Sequence, residues 1–230
     1  MVLSERIFKE VEPIWRSYLD HPFVKGIGEG TVDQDKFIHY MKQDYIYLIE
    51  YSRVFAIGAA KAQDLKTMTL FADLLHGTMN FEMDLHREYA AKFGISSEDL
   101  EETKASATMT SYTHYMIAQA HQGGVENAVA AVLACAWSYN WIGKQLAKWE
   151  GALDHPLYGN WVKMYSSEGF TQIAQNCIAL IDDLAKGKSE AELQHLIEIV
   201  VKTSYFEYMF WDMAENKSNW PVRELSYSGQ

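Results

Sequence analysis

Three short stretches of the chain carry the residue types that chemistry needs. Cys135 lies in AVAAVLACAWSYNWIG, where small neighbours leave space on one helix face and Tyr139, one turn on, shares that face. A thiol in that setting is either a nucleophile or a small apolar filler of the core. Glu207 lies in SYFEYMFWDMA, among Tyr205, Phe206, Tyr208, Phe210 and Trp211. A carboxylate desolvated by such neighbours keeps its proton to higher pH and can act as a general acid or base; the alternative is the exposed edge of a buried helix. Asp44 lies in HYMKQDYIYLIEY with Tyr40, Tyr47 and Tyr51 at i−4, i+3 and i+7. That spacing makes a tyrosine-lined helix face on which a flat heterocycle could stack while the acid bonds a ring nitrogen or amino group. A solvated acid beside core tyrosines is the other reading.

The remaining candidates are weaker. Cys177, in QNCIALID, has no aromatic or acidic company and reads as packing. Glu192-Leu-Gln-His195 has the E-x-x-H spacing of a di-iron ligand pair, but such sites need two of these motifs. Asp73 with His76, and Glu82 with His86, read as surface helix pairs, so no metal is expected. No Gly-rich phosphate loop, G-x-S-x-G or H-E-x-x-H occurs, which leaves nucleotide hydrolysis, serine hydrolase chemistry and zinc proteolysis without support.

Helices must position these residues. Apolar residues recur every three or four positions between four prolines, and strand alternation is almost absent. Ile7, Val11, Ile14, Trp15, Tyr18 and Leu19 form a first stripe, expected to kink at Pro13 and to end before Pro22. A turn at Gly26 to Gly30 leads to Asp33, the N-cap of a helix reaching about Lys61. Further helices are expected over 65–93, 98–121, 124–150, 155–167, 168–186 and 189–216, with glycines between most of them. Short connections imply antiparallel neighbours in a bundle, so the fold class is all-α. One domain over residues 1–230 is expected, with a loose polar tail from 218 to 230.

Composition narrows the function. The 230 residues are 48% hydrophobic and 22% charged, ordinary globular values that exclude disordered and fibrous classes. Twenty Lys and Arg against 31 Asp and Glu give a net charge of −11, which disfavours nucleic acid or an anionic membrane surface as partner. Two cysteines are too few for a disulfide scaffold, and the start MVLSERIFKEVEPIW is neither a secretory signal nor a membrane anchor, so a cytoplasmic location is expected. The 13% aromatic content again points to a flat small-molecule ligand.

Taken together these stretches resemble the TenA family of thiaminase II and aminopyrimidine aminohydrolase proteins. The resemblance rests on HPFVKGIGEGTVDQDKFIHYMKQDYIYL from His21, MTSYTHYM around Tyr112, CAWSYNWIGKQL from Cys135, HPLYGNWVKMYSSEGF from His155 and YFEYMFWDMA from Tyr205. These segments stand in family order from about Ser4 to Lys217; Gly169, in YSSEGF, departs from the acidic residue the family pattern leads one to expect. The resemblance implies a haem-oxygenase-like helical domain that hydrolyses pyrimidines without haem, metal or other cofactor. It implies Cys135 as nucleophile, Glu207 as acid and base, and Tyr47 as the group that activates the thiol. Asp44 would bind the pyrimidine, and Tyr112, Tyr139 and Tyr165 would line its pocket. The implied substrates are 4-amino-5-aminomethyl-2-methylpyrimidine, giving the 5-hydroxymethyl compound and ammonia, and thiamin. A homotetramer is implied as well.

Two rivals follow from the same residues. A non-catalytic carrier or regulator would hold a thiamin-related ligand in the aromatic pocket and be indifferent to Cys135. A metal-dependent oxidase on the same bundle would depend on His195 or His76. Fold alone does not decide between them.

Overall fold

The computed structural model describes residues 2–221, and its first two helices follow from punctuation in the sequence. Helix α1 (Leu3–Asp20) buries Ile7, Val11, Trp15 and Tyr18 along one stripe and runs unbroken through Pro13. The segment read as a glycine turn is a helix, α2 (Pro22–Glu29). Proline at the first helical position has no N–H to leave unpaired, and the His21 Nδ1 accepts the Phe23 N–H at 3.2 Å, so helix formation wins over the local glycines. Gly30 alone makes the turn, with φ of 72°, a left-handed conformation that a Cβ would strain. Asp33 then caps α3 (Gln34–Lys61) by accepting the Asp35 N–H at 2.8 Å, as its residue type predicts.

Two expected long helices are interrupted. Residues 65–93 form α4 (Leu65–Gly77), a π-helical turn (Thr78–Glu82) and α5 (Met83–Ala91). Residues 98–121 divide into α6 (Ser97–Glu101) and α7 (Ala107–Gln122). Buried Gln43 of α3 holds that break open: its Oε1 accepts the Ser106 N–H and its Nε2 donates to the Lys104 carbonyl, both at 2.9 Å. Ser106 then caps α7 through the Met109 N–H. Helix α8 (Val125–Leu146) follows. Helix α9 (Gly159–Ser166) starts later than 155 because the His155 Nδ1 takes the Leu157 and Tyr158 N–H groups in a preceding turn. Helix α10 (Glu168–Leu184) and helix α11 (Glu190–Asn216) lie close to expectation, α11 opening on a Ser189–Glu192 capping box. The expected loose tail begins docked, since the Trp220 Nε1 donates to the Ala105 carbonyl at 3.0 Å; residues 222–230 lie outside the described residues.

No strand occurs among the described residues, so the bundle is all-α. Helix α8 is the axis, packed against α3, α7, α9, α10 and α11, and buried on nearly every side by Ala, Val and Leu. Small residues let neighbours close in. At Gly143 a Cβ would stand 2.7 Å from the Tyr165 carbonyl carbon and 2.8 Å from the Ser166 nitrogen, so glycine sets how near α9, and Tyr165 with it, comes to α8. Alanine gains roughly 1 kcal/mol in helix propensity but meets helix backbone that cannot rotate aside, an overpacking that costs about 1–3 kcal/mol. Gly143→Ala is therefore expected to lower stability by about 1–2 kcal/mol in urea unfolding. Unchanged or raised stability would show that the contact yields.

Candidate active site

Two adjoining cavities open beside α3. The first, about 410 Å³, is walled by Asp44, Tyr47 and Tyr51 of α3, Cys135 and Tyr139 of α8, Glu82 of the π turn, and Tyr165 of α9. The second, about 390 Å³, has Tyr40, Asp44, Glu82, His86, Trp161 and Tyr165 in its wall and Lys92 and Lys163 among its lining residues. Asp44, Glu82 and Tyr165 face both, with Leu48, Leu85 and Met164. The cysteine chamber is lined by Asp44, Asp73 and Glu82 but by no Lys, Arg or His. An acid-lined space without a fixed cation favours positively charged or proton-donating ligands.

Asp44 is buried, and its carboxyl is held well above the usual range by burial and by the nearby acids Glu82 and Glu207, with the Tyr40 hydroxyl opposing. Its Oδ2 lies 3.6 Å from the His86 Nδ1. This is no ion pair. The His86 Nε2 makes a 2.7 Å bond with the Met41 carbonyl and must carry the proton there, and burial pushes the imidazole down to about 4. A neutral histidine thus turns a lone pair toward an aspartic carboxyl whose hold on its proton burial strengthens. Such an acid can donate to a heterocyclic ring nitrogen, as its tyrosine-lined face suggested.

The Cys135 thiol is held well above its ordinary pKa by burial first and by Glu207 next; the Tyr47 hydroxyl pulls the other way and loses. Glu207 is 1% exposed and does not line the chamber. It lies behind Tyr112, whose hydroxyl donates to its Oε1 at 2.6 Å, and the Tyr47 hydroxyl approaches that of Tyr112 at 3.3 Å. Tyr112 is accordingly a buried link, where a pocket wall was expected, and it is held by a stacked ring of Phe206 at 5.3 Å. Cys135, Tyr47, Tyr112 and Glu207 form one chain from the chamber to a buried acid. Tyr139 and Tyr165 line the chamber with ring centroids 4.8 Å apart, edge to face, and Asp44 completes it.

Glu82 and His86 are corrections to the sequence reading, which put both on the surface. His86 is buried and Glu82 faces both cavities, because the π turn adds a residue to the helix and rotates the following positions inward by about 100°. Their i, i+4 spacing on one face was the available signal. The other histidines that drew notice lie elsewhere: His195 is exposed against Asn127, and His76 is exposed against Asn80. Glu192 is occupied in the α11 cap. Among the described residues no group of three His, Cys, Asp or Glu could hold a metal ion. Cys177 is buried and pushed up to about 12 by desolvation, in keeping with a packing role. Gly169 sits exposed in the first turn of α10.

A helical bundle enclosing a small aromatic chamber beneath α3 is the haem-oxygenase-like fold. A cyanobacterial heme oxygenase-1 from Synechocystis superposes with a TM-score of 0.68 at 13% identity over 94% of each chain, a likeness of fold alone. Haem itself does not fit these residues. It needs an axial imidazole or thiolate, whereas the His86 Nε2 is bound to the Met41 carbonyl, its Nδ1 faces the Asp44 carboxyl, and the Cys135 thiol holds its proton. The chain belongs to the TENA/THI-4/PQQC family, whose profile matches residues 8–217. The aminopyrimidine aminohydrolase of Halalkalibacterium halodurans is 47% identical over 96% of this chain and 98% of its own, and that of Helicobacter pylori is 40% identical over 93% and 99%. A TenA homologue from P. horikoshii superposes with a TM-score of 0.86 at 26% identity, covering 94% of this chain and 99% of its own.

Burial raises the Glu207 carboxyl from 4.5 to about 8 despite the Tyr112 bond. Between those values the folded chain keeps a proton that the unfolded chain releases, so this group makes stability fall as pH rises through the window. Glu207→Gln is expected to stabilise the fold increasingly from pH 5 to pH 8, by about 2–4 kcal/mol at the upper end, in paired urea titrations. A constant difference across that range would mean that Glu207 is ionised in the folded protein.

Proposed function

We propose that this protein is an aminopyrimidine aminohydrolase of thiamin salvage. It converts 4-amino-5-aminomethyl-2-methylpyrimidine to the 5-hydroxymethyl compound and ammonia, and cleaves thiamin at the same methylene. The observation that carries the reading is Cys135 in a cation-free chamber, joined through Tyr47 and Tyr112 to Glu207. The two aminohydrolase relatives, matched along nearly their full lengths, support the substrate class. The family also supports a homotetramer, and Met79, Phe81 and Leu85, all more than half exposed, offer an apolar face for association. One core cluster joining the helices supports a single domain. No helix among the described residues is long and apolar enough to cross a membrane, and the acidic charge suits a cytoplasmic small-molecule enzyme.

Protonated Asp44 donates to the ring nitrogen and draws electrons from the ring, while Tyr139 and Tyr165 hold its faces. A cationic substrate supplies the positive charge that the chamber lacks and favours ionisation of Cys135, whose proton passes to water in the chamber while the Tyr47 hydroxyl turns to the sulfur. The thiolate bonds to ring C6 as Asp44 passes its proton to the ring nitrogen. The electron pair gained by the ring then forms an exocyclic double bond at C5 and expels the nitrogen, protonated from Glu207 by way of the Tyr112 hydroxyl, as ammonia. Water adds to that methylene and its proton returns to Glu207. The sulfur leaves C6 as thiolate and takes a proton back from water, the ring nitrogen gives its proton back to Asp44, and the aromatic ring is restored.

The test is to incubate the purified protein with each substrate and follow the hydroxymethylpyrimidine. Cys135→Ser should lose at least about 10³-fold in turnover yet still bind the pyrimidine. Comparable turnover in that variant would sink the covalent scheme, and binding without product in the parent would favour a carrier. Because Glu207 must hold its proton, kcat/KM is expected to decline above about pH 8. The Tyr112 bond links Glu207 to the chamber and favours its anion, so Tyr112→Phe should lower turnover and move the alkaline limb of the remaining activity upward. A limb that stays put or moves down would remove Glu207 from the role.

A further inference from the structure

Glu82 is a half-buried carboxyl, facing both cavities, that the reaction as written does not use. Asp44 and Tyr165, the other polar residues facing both cavities, have partners: Tyr40 bonds with each, and His86 faces Asp44. Glu82 accepts one bond, from the Thr78 Oγ1 to its Oε2 at 3.3 Å, made inside its own π turn. Its Oε1 has no partner among the described residues, and no cation lines the chamber to pair with it. Burial alone pushes this carboxyl up to about 7, only the Thr78 bond opposing. A π turn is a departure from regular helix geometry that is frequent at functional sites, and here it turns an acid toward a ligand-sized space.

We propose that Glu82 determines specificity for the leaving group, its free carboxylate oxygen accepting N–H bonds from the ammonium on the C5 methylene of the substrate. The proposal rests on the aminohydrolase reading and adds to it the residue that distinguishes an amine from the hydroxyl that replaces it. An alkylammonium brings both a positive charge and N–H donors into a chamber that has acids and no cation, and Glu82, unlike the exposed Asp73, is an acid withdrawn from bulk solvent with an oxygen to spare. Glu207 cannot take this part, since it lies behind Tyr112. Asp44 is committed to the ring. Once water has replaced ammonia, the product carries no charge for Glu82 to hold, and its grip on that end of the ligand loosens.

The experiment measures binding, in the Cys135→Ser background so that nothing turns over. Calorimetric Kd values for 4-amino-5-aminomethyl-2-methylpyrimidine and for its 5-hydroxymethyl counterpart are compared with and without Glu82→Gln, which keeps shape and one acceptor but loses the charge. The expected result is a loss of roughly 10- to 30-fold for the amine and less than about threefold for the alcohol. Equal losses for both would make Glu82 a structural residue, and no loss for either would remove it from recognition; each outcome overturns the inference and leaves the functional reading standing. If the background protein binds neither compound, the functional reading fails and the inference with it.

Discussion

Packing acids and a thiol into one apolar region, against a histidine that burial keeps uncharged, is the constraint around which the rest is arranged. Asp44, Glu82, Glu207 and Cys135 all hold their protons above their ordinary pKa values, and in each case burial is the first cause. Left ionised together they would repel one another in a medium that screens poorly. The protein resolves this by keeping the region neutral and hydrogen-bonded through tyrosine hydroxyls, which donate and accept without bringing charge. A resting site of this kind is chemically quiet, and the charge that makes the thiol reactive arrives with the ligand.

The bundle is built to keep that arrangement tight. Helix α3 contributes Tyr40, Asp44, Tyr47 and Tyr51 from successive turns of one face, α8 sets Cys135 and Tyr139 one turn apart opposite them, and α11 closes the back with Glu207. The close approach at Gly143 draws Tyr165 to the wall, and Phe206 lies flat against Tyr112. Aromatic rings do most of this fixing. They have two side-chain torsions each, so little freedom is lost in holding a hydroxyl at one point.

Much of this was legible in the sequence, and the exceptions share a cause. The helical periodicity, the Asp33 cap and the Ser189–Glu192 box are local signals and emerge where they should. Tyr47 shares a face with Asp44, and Tyr139 with Cys135, because helix faces can be counted along a chain, whereas Tyr165 is implied by the family resemblance alone. The break between α6 and α7 could not be counted, since it is made by Gln43, distant in sequence, binding the backbone at Lys104 and Ser106. Nor could Tyr112 be placed behind the wall, because depth depends on what stands in front. Glu82 and His86 were misplaced by a π turn that regular periodicity does not contain. Around Pro22 the local signals conflict, and a proline set to start a helix outweighs the glycines that follow it.

The Gln43 contact has a mechanical side. Gln43 and Asp44 are adjacent on α3, the first gripping the chain just before α7 and the second facing the cavities. The loop that sets the register of Tyr112 is therefore tied to the same peptide unit as the acid that meets the ligand. A ligand that stills Asp44 would also still the Ser106 amide, whose N–H is bound to Gln43, and would lengthen its lifetime against exchange with solvent deuterium. Occupancy of the chamber can in this way be followed at a backbone amide that no ligand touches.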